Sequence, residues 1–105
     1  MRVTVSHNKA KAEVRTAVDR SLADLIGAAA QGPIQISGMQ KNWSGDTMMF
    51  SFTAGMGFLK TPITGSVLVG DKDVTIDVDL GLLGKLVSED TVKKQVEGKV
   101  RGLLA

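Results

Sequence analysis

The 105-residue chain has no cysteine. Disulfides, thiolate nucleophiles and cysteine-bound zinc are therefore excluded, and the fold must stand on packing alone. Histidine occurs once, at His7, so a paired-histidine metal site is excluded as well. Aromatic residues make up only 4% of the chain. They do not interleave with basic residues in the way that supports stacking on single-stranded nucleic acid. The formal charge of +2 is too small to argue for a nucleic-acid partner. No stretch approaches the roughly 18 consecutive apolar residues of a membrane-spanning helix. The opening Met1-Arg2-Val3-Thr4-Val5 reads as a strand, with no apolar signal-peptide segment after it. A cytoplasmic location is expected, with no cofactor and no metal.

What is present is alternation. Val74, Ile76, Val78 and Leu80 fall on every second residue, with Asp73, Thr75, Asp77 and Asp79 between them. A strand with one dry and one wet face accounts for that period. The same reading gives strands at Met1–Val5, from Ile34 onward, around Met48, Phe50 and Phe52, and from Ile63 to Val69. The second of these slips in parity near Gly38, because Met39 and Trp43 carry the opposite phase from Ile34 and Ile36. A bulge or bend at Gly38 is expected. Asn42-Trp43-Ser44-Gly45-Asp46 reads as a hairpin turn, and Gly70-Asp71-Lys72-Asp73 as another.

Two segments carry helical spacing. Ala10, Val14, Ala17, Val18, Leu22, Leu25 and Ile26 draw one apolar stripe, with Asn8 as the expected cap. Gly27 or Gly32 is expected to end this helix, and Pro33 forbids its extension. Near the C-terminus, Val92, Val96, Val100, Leu103 and Leu104 form a second stripe. Ser88 is its expected cap, with Glu89 and Asp90 beside the positive end of the helix dipole. Leu82, Leu83, Leu86 and Val87 begin this helix or form a short one of their own. Gly98 and Gly102 each weaken it by roughly 1 kcal/mol relative to alanine, and close packing on the sheet is the expected reason. Basic residues gather in the two helical ends of the chain, so the helices lean positive and the sheet negative.

The expected architecture is a single α+β domain over 1–105 with the order β-α-β-β-β-β-α. Short turns make strands two to five an antiparallel meander. One apolar face per strand demands one covering layer, which the two helices supply. The first strand is expected beside the fifth, giving a five-stranded antiparallel sheet of order 2-3-4-5-1 with both helices on one face. The layout is similar to a small helix-grip arrangement.

Few residues carry chemistry. Asp77 and Asp79 share a strand face, as a hydrolytic pair or cation site would require, but that face is expected to be solvated. Gly55-Met56-Gly57 lacks the lysine and the strand-to-helix setting of a phosphate loop. Trp43 is a candidate stacking platform, or a lid folded over the end of the core. Ala54-Gly55-Met56-Gly57-Phe58-Leu59-Lys60 is read as a loop that joins flexible glycines to large apolar side chains. Met56, Phe58 and Leu59 are candidate contact residues for a partner or an apolar surface, with Leu82 and Leu83 joining the patch; packing under the C-terminal helix is the alternative. Met49 and Leu68 on the outer sheet face allow a homodimer.

The chain resembles the polyhydroxyalkanoic acid system proteins, small bacterial proteins encoded near polyester-granule genes. The resemblance runs through Glu13-Val14-Arg15-Thr16-Ala17-Val18-Asp19, the turn Trp43-Ser44-Gly45-Asp46 followed by Phe50, Gly65-Ser66-Val67, the strand from Val74 to Leu80 ending in Gly81, and the charged terminal helix. It implies a role in polyhydroxyalkanoate storage, at the granule or on a granule-associated protein, and brings no catalytic residue with it. The expected function is non-enzymatic binding through the apolar loop. The alternative is carriage of a small hydrophobic ligand between the sheet and the last helix, with Gly65, Gly98 and Gly102 leaving room.

Overall fold

The computed structural model describes residues 1–29, 34–85 and 87–105. Its elements are β1 (Arg2–Ser6), α1 (Lys11–Ala29), β2 (Gln35–Ser44), β3 (Thr47–Met56), β4 (Leu59–Val69), β5 (Asp73–Asp79), a 3-10 turn (Gly81–Lys85) and α2 (Glu89–Leu104). The strands form one antiparallel sheet of order β1-β5-β4-β3-β2. This is the expected sheet, read from its other edge.

Register puts the apolar period to use. Trp43, Met48, Val67, Ile76 and Val3 pair in succession across all five strands, so one inward row crosses the whole sheet. Val14, Val18, Leu22, Leu25 and Ile26 of α1, and Val92, Val96, Val100 and Leu104 of α2, close over that row as one buried core. A second, smaller core of Ala54, Ile63 and Leu83 lies where the 3-10 turn packs beside β4, and Phe52 and Val78 touch both.

Several local expectations hold. The β2–β3 register shifts between Ser37 and Gln40, and Gly38 sits at φ +64°, a bulge where the parity slipped. Ser88 caps α2, its hydroxyl accepting the Thr91 N–H at 3.4 Å. Glu97 and Arg101, four apart, pair at 2.9 Å.

Others need correction. Asn8 does not cap α1; the helix begins two residues later than that cap requires, with Val14 N–H donating to the Ala10 carbonyl. Its corner is occupied by His7, whose Nδ1 accepts the Lys9 N–H while Nε2 donates to the Gly70 carbonyl. Gly27 does not end α1, which runs to Ala29; Gly32, Pro33 and Leu86 lie outside the described residues. Gly98 and Gly102 do not pack on the sheet. Both are exposed, and an added Cβ at either would meet nothing within 4 Å. Helical phase explains the error, since both lie out of step with the buried row Val92, Val96, Val100.

Candidate functional site

The segment read as a glycine-rich loop is a tight hairpin. β3 continues to Met56 and β4 starts at Leu59, so only Gly57 and Phe58 form the turn. Gly57 at φ +63° occupies the first central position, which matches the II′ pattern favoured by right-twisted strands. Gly45 at φ +61° does the same in the Gly45-Asp46 turn between β2 and β3. The sequence signal for a loop was real glycine content, but each glycine serves a turn or a strand rather than slack chain.

This geometry divides the candidate residues. Met56 and Leu59 face one another across the turn and fold inward, half-buried against the core of Ala54, Ile63 and Leu83. They lie under the 3-10 turn rather than under α2. Phe58 points away from the body and is fully exposed, at 108% of its reference area. Leu83 is buried, whereas Leu82 on the same turn is 51% exposed. Gly81, which opens that turn, approaches the Thr61 hydroxyl and the Pro62 carbonyl of β4. Phe58 and Leu82 therefore belong to the same end of the sheet, with Met56, Leu59 and Leu83 as their support.

Trp43 is elsewhere. It pairs with Met48 at the start of β3, whereas Met56 ends that strand. Eight strand steps, about 27 Å, separate the two regions. The indole packs against the main core and donates from Nε1 to Asp19 Oδ1 at 2.9 Å. Lys41, two residues before Trp43 and on the same face, donates from Nζ to the Asp19 carbonyl at 2.7 Å and lies 3.1 Å from Oδ1. The Arg15 guanidinium lies over the indole, its Cζ 4.9 Å from the ring centroid. The indole hydrogen bond first, and then Lys41, hold the Asp19 carboxyl below the usual carboxylate value. Arg15, Asp19 and Lys41 were not singled out from the sequence. The available signals were the four-residue spacing of Arg15 and Asp19, and the parity that places Lys41 on the inward side.

The carboxylates have structural work. Asp77 accepts from Arg2 at 2.9 Å, and Asp79 accepts the Gly81 N–H at 2.9 Å. Lys11 reaches Asp46 at 3.0 Å and Asp71 at 3.6 Å. These carboxylates, Asp46 foremost, raise the Lys11 ammonium above its ordinary value. Among the described residues, no cluster of three or more His, Cys, Asp or Glu is placed to hold a metal ion, and no helix is long and apolar enough to cross a membrane. Between the sheet and the helices lies an apolar cavity of about 40 Å³, lined by residues including Ile26, Phe52, Ile63 and Val92. On the outer sheet face, Met49 and Leu68 are each about half exposed among threonine and serine side chains.

No curated protein and no solved structure matches the chain. A family model does, over residues 1–104, and its description reads "Putative polyhydroxyalkanoic acid system protein". Spanning all strands and both helices of the fold, this match establishes that the chain belongs to the polyhydroxyalkanoic acid system protein family.

Proposed function

We propose that the chain is a non-enzymatic binding protein of the polyhydroxyalkanoate system, docking through its β3–β4 tip to an apolar surface: the polyester granule or a protein seated on it. One observation supports this reading above the rest. Phe58 is fully exposed on a two-residue turn whose flanking pair, Met56 and Leu59, is anchored in a core. A large aromatic on slack chain would fold inward; here strand pairing on both sides holds it out. The tip needs no ordering on contact, so docking avoids much of the entropy that a flexible loop would lose.

Burying Phe58 contributes about 2 kcal/mol, or roughly 30-fold in Kd. Leu82, exposed on the 3-10 turn at the same end of the sheet, offers a second apolar side chain for contact. Attachment by one copy is weak and reversible on this scale, as suits a surface coated by many copies. The interior gives less support to ligand carriage. Among the described residues, the cavity between sheet and helices, about 40 Å³, is far below the roughly 300–1,000 Å³ of small-molecule sites, and Gly98 and Gly102 line a separate groove of about 250 Å³ between α1 and α2.

The test is co-sedimentation of the purified protein with polyester granules. The protein is expected in the pellet and F58S in the supernatant; equal pelleting of the two refutes the reading. Granules stripped of protein separate polymer contact from contact with a resident protein.

A further inference from the structure

At the far end of the sheet from the apolar tip, α1 and β2 enclose an open groove lined by Ala12, Arg15, Thr16, Asp19, Arg20 and Trp43. Its charges sort into two groups. Asp19 is already engaged: its Oδ1 accepts from the indole and meets Lys41 Nζ at 3.1 Å. Lys41 and Asp19 cancel one another. Arg15 and Arg20 remain, and neither has an ion-pair partner among the described residues.

Arg15 is no ordinary surface cation. Its Cζ lies over the Trp43 ring, 4.9 Å from the centroid, so the indole face holds the cation at the side of the groove. Its Nε is buried and has no hydrogen-bond partner, the one such side-chain atom among the described residues. A buried donor without a partner is destabilising, and a shift of the guanidinium toward the groove would relieve it by letting an oxyanion close a bidentate fork on Nε and one Nη. The small side chains of Ala12 and Thr16 leave the approach open.

We propose that this groove is an anion site for a phosphate monoester, gripped by Arg15 on its indole platform and by Arg20. Charge selects the ligand. Two guanidinium groups without an ion pair among the described residues match the charge of about −1.5 to −2 that a phosphate monoester carries near pH 7, whereas a carboxylate leaves one cation unmatched. The site shares no residue with the apolar tip, so it stands or falls apart from it.

Trp43 is the chain's single tryptophan and reports on Arg15 directly. The experiment is a titration of its fluorescence with inorganic phosphate and with a nucleoside monophosphate, against acetate and chloride at matched ionic strength. Both phosphates are expected to give a saturable change, with acetate at least tenfold weaker. Equal affinity for the two phosphates locates recognition in the phosphate group; tighter binding of the nucleotide adds a contribution from its organic part. R15Q and R20Q are each expected to lose at least tenfold in affinity, R15K to lose part of it, and F58S to keep it. Arg20 is exposed, so R20Q reads binding without disturbing the fold. A response shared by acetate or chloride, or one unchanged in R20Q and in a folded R15Q, overturns the proposal.

Discussion

The ring of Phe50 lies over Gly65 on the neighbouring strand, in register with it. A methyl group on Gly65 would meet that ring and come within 2.7 Å of the Asp77 carbonyl oxygen. The ring could turn aside, but the carbonyl belongs to the β4–β5 ladder and cannot. Gly65→Ala is therefore expected to destabilise the protein by about 1–3 kcal/mol, measured as a lower urea midpoint at unchanged m. A neutral result would mean that the sheet spreads there without loss.

The two exposed helical glycines should behave in the opposite way. Nothing lies within 4 Å of a Cβ added at Gly98 or Gly102, and both sit within α2. Gly98→Ala and Gly102→Ala are each expected to stabilise by about 1 kcal/mol, through helix propensity and a less disordered unfolded chain. For a domain of this size that raises Tm by roughly 4–8 °C per substitution. Loss of stability in either would show that the glycine meets a contact.

Phe58 and Met56 must be tested separately. Phe58→Ser removes a side chain that touches solvent, so stability should move by no more than about 0.5 kcal/mol while granule binding falls. Met56→Ser opens the small core around Ala54, Ile63 and Leu83 and is expected to cost about 1–2 kcal/mol. A thermal melt of each variant beside its co-sedimentation distinguishes lost contact from lost fold.

Asp19 sets a pH dependence with a definite sign. Its folded-state pKa is lowered, by the Trp43 hydrogen bond first and Lys41 second. The ionised carboxylate therefore contributes stability above the ordinary carboxylate range, and this is lost as pH falls through the lowered folded value. Trp43 fluorescence is expected to shift with a midpoint below the usual aspartate value, while far-UV circular dichroism stays constant. Asp19→Asn should abolish that transition. A midpoint at or above the ordinary value, or its survival in the variant, would contradict the assignment.

Much of the fold was legible because burial on one side of a sheet writes itself into the chain with period two. Val74, Ile76 and Val78 announced β5, and the parity change between Ile36 and Trp43 announced the bulge at Gly38. What misled was composition read without phase. Gly55 and Gly57 suggested a loop, yet one sits in a strand and the other in a two-residue turn. Gly98 and Gly102 suggested close packing, yet helical phase turns them outward. The apolar candidates from Met56 to Leu83 do gather at one end of the sheet, because strand pairing and the 3-10 turn bring them there. Trp43 stands apart from them already in the sequence, since the turn at 42–46 and the segment from Ala54 flank opposite ends of one strand, about 27 Å or about eight strand steps apart.

The bulge at Gly38 also bears on crowding. β2 is a ten-residue border strand, and its pairing phase changes between Ser37 and Gln40. A strand offered by a neighbouring molecule could follow the phase of one half or of the other, but not both. Molecules packed side by side on a common surface would thus be kept from zipping into continuous fibres, and the layer would remain a population of separable units.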